Sequence, residues 1–154
     1  MNTIIQYTWP ALTADVNRIA NWYKNTQTPN TPDLIVGIMR SGMVPAIMLS
    51  HILGAPVKAL EWSLRDGKIK DKRSLDHIAV QATQGKRVLI IDGIIDSGAT
   101  IREIKERSFD TEESILYASL YFNISQTETV DFSPNLIDRN KDKRWIVFPY
   151  ESIR

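Results

Sequence analysis

The chain has 154 residues, 43% of them hydrophobic and 24% charged, with a formal net charge of +1 and no cysteine. That length suits a single domain, 1–154, able to bury a two-faced sheet between helices, and the near-neutral balance supplies no electrostatic pull toward nucleic acid or an anionic membrane. The missing thiol excludes a disulfide framework, a thiolate nucleophile and a cysteine-ligated metal; with no basic leader and no apolar run of spanning length, the chain is read as cytoplasmic.

In chain order, Ile4 to Tyr7 predicts a short strand, and Thr8 with Pro10 predicts a helix start, the Thr as cap and the Pro in the first turn, where its missing N–H costs nothing. Leu12, Val16, Ile19, Ala20 and Tyr23 then recur at helical spacing. A polar loop over 25–32 leads to Leu34-Ile-Val-Gly-Ile38, a buried strand, followed by Met39-Arg40-Ser41-Gly42 and a helix from about Met43 to Leu53 that Gly54 closes. Pro56 to Trp62 reads as another strand, and the apolar residues around Trp62 are candidates for an exposed interface. Residues 63–86 turn charged and keep little apolar period, and a loop of that length is expected either to have a function or to be disordered. After a central strand, Ile115 to Phe122 makes a further strand, a short one is expected at Thr129 to Phe132, and Lys141 to Arg144 reads as a solvated turn ahead of the aromatic end, Trp145 to Glu151. Buried strands alternating with helices imply an α/β fold, a mainly parallel sheet flanked by helices, with ligand at the carboxyl ends of the strands.

The central stretch carries the chemistry. Val88 to Ile91 is an unbroken apolar run, read as a strand buried on both faces that emerges at Asp92. Ile94 and Ile95, Asp96 and the small, hydroxyl-rich turn Ser97-Gly98-Ala99-Thr100 then open a helix through Ile101 and Ile104. Carboxylates at a strand end, followed by free N–H groups at a helix start, suit a phosphorylated sugar: the dipole favours the phosphate and the carboxylates accept from sugar hydroxyls. Arg40-Ser41-Gly42, at another strand end entering a helix, makes a second anion site. No Gly-Lys-Ser/Thr ending supports a P-loop, and Gly93 and Gly98 lie too far apart for a dinucleotide fingerprint. His51 and His77 lack metal-ligand spacing, and no Gly-x-Ser-x-Gly elbow is present.

The central stretch resembles the PRPP-binding signature of type I phosphoribosyltransferases, matching at Val88 to Asp92 and at Asp96 to Thr100, while Gly93 stands where the family has a second acidic residue. Met39 to Gly42, continued by Met43-Val44-Pro45, is similar to the pyrophosphate loop of the purine branch, closest to its bacterial xanthine-guanine members, with Ser41 at the first of two usual glycines; a peptide in this loop is often cis in relatives. Tyr7-Thr8-Trp9, and Trp145-Ile146 followed by Pro149, extend the resemblance to almost the whole chain.

The resemblance implies the type I fold with a small base-binding hood over 123–154, and a Mg²⁺-dependent transfer of ribose 5-phosphate from PRPP to a purine-like base. In those roles Asp96 would be the catalytic base. Asp92 would meet the ribose hydroxyls and the metal; Ser97, Gly98, Ala99 and Thr100 would hold the 5-phosphate; Arg40, Ser41 and Gly42 would hold pyrophosphate. Trp145 would stack on the base, Ile146 would line its site, and Glu151 would accept from an exocyclic amine or a metal water. Asn123 would meet the base from the place of a Lys that reads 6-oxopurines, its amide able to donate to a carbonyl or accept from an amine, and Ser63-Leu64 keeps the Ser, without the Tyr, of the family's mobile loop expected over 63–86. The implied partners are PRPP and a nucleobase, in a homodimer or homotetramer, with no nucleic acid and no membrane. A second reading is a non-catalytic regulator of the same fold that binds PRPP or nucleotide.

Overall fold

The computed structural model describes residues 3–64, 69–108 and 114–151. Five parallel strands make the main sheet: β2 (Leu34–Met39), β3 (Val57–Glu61), β4 (Val88–Ile95), β5 (Ile115–Asn123) and β6 (Asn135–Ile137), in the order β3-β2-β4-β5-β6. Alternate side chains of β4 explain its apolar run. Leu89 and Ile91 face a core shared with α1 (Trp9–Thr26) and α2 (Met43–Leu53), whereas Val88 and Ile90 face one shared with α3 (Lys72–Thr83) and α4 (Ala99–Ser108). A separate two-stranded parallel sheet joins β1 (Ile4–Gln6) to β7 (Trp145–Val147), so the first strand of the chain anchors its last.

The strand order places the site. From β2 the chain crosses through α2 to β3 on one side, and from β4 it crosses through α4 to β5 on the other, so the connections diverge between β2 and β4. Such a switch point opens a crevice beyond the carboxyl ends of the strands. The caps obey the sequence: Thr8 accepts from the Ala11 amide at the start of α1, and Gly54 closes α2 in the left-handed region at φ 67°.

Four expectations are corrected. Half of the expected loop over 63–86 is α3, capped by Asp71, whose carboxylate accepts from the Ser74 amide; Leu75, Ile78, Ala79 and Ala82 form its buried stripe. Residues 65–68 of that stretch lie outside the described residues. Strand β4 does not emerge at Asp92 but runs on to Ile95, because Ile94 and Ile95 keep pairing with Tyr121 and Phe122 of β5. The short strand after β5 is Asn135–Ile137, and Phe132 makes only an isolated bridge to Ala118. Trp62 is buried, its indole donating to Glu103 Oε2 at 3.0 Å, and so offers no exposed interface. Among the described residues no helix is long and apolar enough to cross a membrane.

Candidate active site

A cavity of about 360 Å³ opens where the sequence places the chemistry, over the ends of β2 and β4. Arg40 and Ser41 reach it from the loop after β2, Asp92 and Asp96 from β4 and its end, and Ser97, Gly98, Ala99 and Thr100 from the turn into α4. Trp145, Ile146 and Glu151 line it from the C-terminal segment. Residues separated by more than a hundred positions thus share one space.

The loop after β2 is pressed onto the strands. A Cβ on Gly42 would lie 2.3 Å from the Ile91 carbonyl oxygen and 2.7 Å from that of Ile38, so only glycine lets the loop come this close. Gly42 does not line the cavity, and its amide donates to Ile38 O at 2.9 Å. The residue expected at pyrophosphate therefore acts here by making room. The Met39–Arg40 peptide is cis.

On the other wall, Gly98 turns the chain at φ 81°, a conformation that side chains resist, and Ser97 Oγ accepts from the Ala99 amide at 3.2 Å. The first turn of α4, beginning at Ala99, directs its backbone N–H groups and the positive end of its dipole toward the strand ends. Thr100 adds a hydroxyl to the same wall.

The two carboxylates differ. Asp92 is partly open to the cavity yet enclosed by protein, and burial pushes its carboxyl up to about 6, against the Gly93 amide and Ser41 hydroxyl that favour the ion. Both donors reach the same oxygen, Oδ1, at 2.7 and 3.3 Å. Asp96 instead meets a guanidinium: Arg139 Nε donates to its Oδ1 at 3.1 Å and Nη2 to its Oδ2 at 3.4 Å. Arg139 also donates through Nη1 to the carbonyl of Arg144 at 2.6 Å, so it ties the hood loop to the end of β4.

Asn123 does not line the cavity. It is buried, and its side-chain amide is engaged at both ends: Nδ2 donates to the Asp96 carbonyl at 2.9 Å, while Oδ1 accepts from Ser125 N, Ser125 Oγ and Arg139 N. It supports Asp96 and Arg139 from behind rather than facing a base. Trp145 lines the cavity at 56% exposed, whereas Phe148 is buried. Glu151 Oε2 accepts from the Phe148 amide at 3.2 Å and thereby caps the final turn.

A family model described as a phosphoribosyl transferase domain matches residues 6–152. The chain belongs to the phosphoribosyltransferase family. It is 25% identical over 149 residues to the xanthine-guanine phosphoribosyltransferase of Gluconobacter oxydans, covering 94% of this chain and 83% of that protein. Among solved structures, a purine phosphoribosyltransferase from Pyrococcus horikoshii superposes with a TM-score of 0.70 at 24% identity, over 99% of this chain and 96% of the other. The Helicobacter pylori xanthine-guanine-hypoxanthine phosphoribosyltransferase gives 0.72 at 19% identity, over 99% and 95%.

For a phosphoribosyltransferase, two contributors stand out that sequence reasoning missed. Arg139 lies just before the run read as a solvated turn, and nothing local marks it; only the fold brings it against Asp96. Tyr150 donates to the Ser41 carbonyl at 2.6 Å and stacks on Phe148 with ring centroids 5.4 Å apart, clamping the hood onto the loop after β2. Among the described residues no group of three or more His, Asp or Glu side chains forms a metal cage. Asp92 lines the cavity, and the hydrogen bonds it accepts from the described residues both fall on Oδ1. One carboxylate of this kind fits Mg²⁺, which is commonly held by one or two carboxylates together with substrate phosphates.

Proposed function

We propose that this phosphoribosyltransferase moves the ribose 5-phosphate of PRPP onto a purine-like base and releases pyrophosphate. One observation carries the reading: Asp92, Asp96, the α4 N-terminus, Arg40 and Trp145 line a single cavity at the switch point. The purine relatives support the choice of base. A regulator that only bound nucleotide would have no need of a second carboxylate, Asp96, at the end of β4.

In the reaction the C1–oxygen bond to pyrophosphate breaks, a C1–nitrogen bond to the base forms, and the ring N–H proton leaves. The 5-phosphate accepts from the first-turn amides of α4 and from the Ser97 and Thr100 hydroxyls. Asp92 accepts from the ribose hydroxyls. Arg40 neutralises the departing pyrophosphate and the Ser41 backbone amide binds it, and a positive sugar carbon in the transition state is favoured by the carboxylates nearby. Asp96 takes the proton from the base as Arg139 holds its carboxylate in place. Trp145 presents its ring to the base, a contact worth about 1–3 kcal/mol in comparable stacking. Asp92 would hold Mg²⁺, which when bound would supply Lewis-acid neutralisation of the pyrophosphate.

We place the protein in the cytoplasm, as a homo-oligomer acting in base salvage. The test of the activity is pyrophosphate release from PRPP with Mg²⁺ across guanine, hypoxanthine, xanthine, adenine, uracil and orotate, beside a control without base. Release that requires a purine, and that falls about 10²–10⁴-fold in Asp96→Asn, is the expected outcome; PRPP binding without release for any base would return the protein to the regulator class.

A further inference from the structure

Two places where the chain departs from its family pattern lie far apart in sequence, Ser41 in the loop after β2 and Gly93 inside β4, and the fold puts them in contact. A Cβ on Gly93 would fall 2.5 Å from Ser41 Oγ and 2.7 Å from Ser41 Cβ. Gly93 is not among the glycines with positive φ, so its backbone conformation does not demand glycine. The demand is for space. A glycine inside a buried strand weakens it and commonly marks a close approach, and the approach here is the Ser41 side chain.

What Ser41 does with that space is also visible. Its hydroxyl donates to Asp92 Oδ1 at 3.3 Å, where the Gly93 amide donates as well, at 2.7 Å. With both protein donors on Oδ1, the carboxylate is fixed in rotation and its other oxygen is left for a ligand in the cavity. The loop that carries Ser41 is itself held, by Tyr150 Oη donating to the Ser41 carbonyl and by Gly42 lying against the backbone of β2 and β4.

We infer that Ser41 and Gly93 form one compensated unit, in which the Ser41 side chain takes the volume of a residue at 93 and positions Asp92 to bind the sugar of PRPP. The inference rests on the proposed transferase reading. Ser41 is thus a positioning residue, acting on the sugar through Asp92, and the missing side chain at 93 is the condition for its presence. An acid installed at 93 alone would not repair the site, because it would collide with Ser41.

The experiment measures PRPP affinity by calorimetry in the presence of Mg²⁺, with KM for each substrate, kcat and Tm, in the wild type, Ser41→Ala, Ser41→Gly, Gly93→Ala and the double variant Ser41→Gly/Gly93→Ala. Ser41→Ala keeps its Cβ and should melt within about 2 °C of wild type, while PRPP affinity falls about 3- to 10-fold, the loss of one hydrogen bond, and the KM for the base stays put. Gly93→Ala should lower Tm by about 3–9 °C through overpacking, and Ser41→Gly should recover most of that loss in the double variant. Ser41→Ala binding PRPP as tightly as wild type, or Tm losses of Ser41→Gly and Gly93→Ala that simply add, would overturn the inference. A wild-type chain that binds no PRPP would instead overturn the transferase reading and the ligand role of Ser41 with it, and the Tm cycle would still decide whether positions 41 and 93 are coupled.

Discussion

At the scale of single residues, Asp92 makes the site sensitive to pH. Its folded value of about 6 lies above the ordinary 3.8, so the folded chain holds this proton more tightly than the unfolded chain does. The stability this contributes is fully present below about pH 4 and is lost as pH rises through 6. Ligand binding runs the other way, because sugar hydroxyls and a cation both want the ionised carboxylate. PRPP affinity should therefore rise between pH 5 and 7 with a midpoint near 6, and Asp92→Asn should remove this dependence. Calorimetry of the two proteins side by side separates Asp92 from titration of the ligand's own phosphates, and parallel profiles would show that Asp92 does not control binding. The other carboxylate answers to its guanidinium: Arg139→Ala leaves Asp96 without its two-point support and should lower kcat about 10- to 100-fold. PRPP affinity should change less than about 3-fold, since Arg139 contacts neither the Asp92 side nor the α4 turn.

At the scale of elements, the end of β5 carries more weight than its distance from any substrate suggests. Asn123 satisfies the Asp96 carbonyl, the Arg139 amide and Ser125 together, so Asn123→Ala strands several buried polar groups and should cost about 2–3 kcal/mol in urea unfolding. It should also depress kcat, because both partners of the Asp96–Arg139 pair hang from it. The contrast between Asn123 and the residues of β4 shows what a sequence can tell. Val88 to Ile91, Asp96 and Ser97 to Thr100 were legible because a strand, its turn and the next helix are neighbours in the chain, so the residue types and their spacing already describe the local geometry. Arg139 and the inward turn of Asn123 were not legible, because each meaning depends on a contact made across the fold, 43 residues apart for Arg139 and Asp96. Helix α3 was missed for another reason. Its stripe of Leu75, Ile78, Ala79 and Ala82 includes two alanines, which bury little apolar surface and so weaken the period that marks a helix. Strand β4 was read too short because the acid Asp92 looks like an ending, whereas pairing with β5 carries the strand past it.

At the scale of the whole molecule, the site is assembled from two sheets that perform different tasks. The five-stranded sheet fixes Asp92, Asp96 and the α4 N-terminus, the part that would hold the phosphorylated sugar, while Trp145 and Ile146 stand on the separate β1–β7 pair. That pair is held by ladder contacts such as Ile5 beside Ile146, by Trp145 N donating to Thr3 O at 3.0 Å and by Tyr7 N donating to Val147 O at 3.0 Å. Tyr7 continues the connection inward, edge-on to Phe148 and Tyr121, with its hydroxyl donating to Asp15 at 2.5 Å. Removing residues 1–6 deletes β1 but spares Tyr7 and every residue of the sugar half. If the two sheets divide the work, the truncated chain should bind PRPP within about 3-fold of the full chain, while the KM for the base rises about 10-fold or more as the Trp145 platform loses its strand partner, an effect of the size of one lost stacking contact. Calorimetry for PRPP and initial rates over a base titration read the two halves independently. An equal fall in both would mean that β1 serves the fold as a whole and that the two halves of the site are not separable.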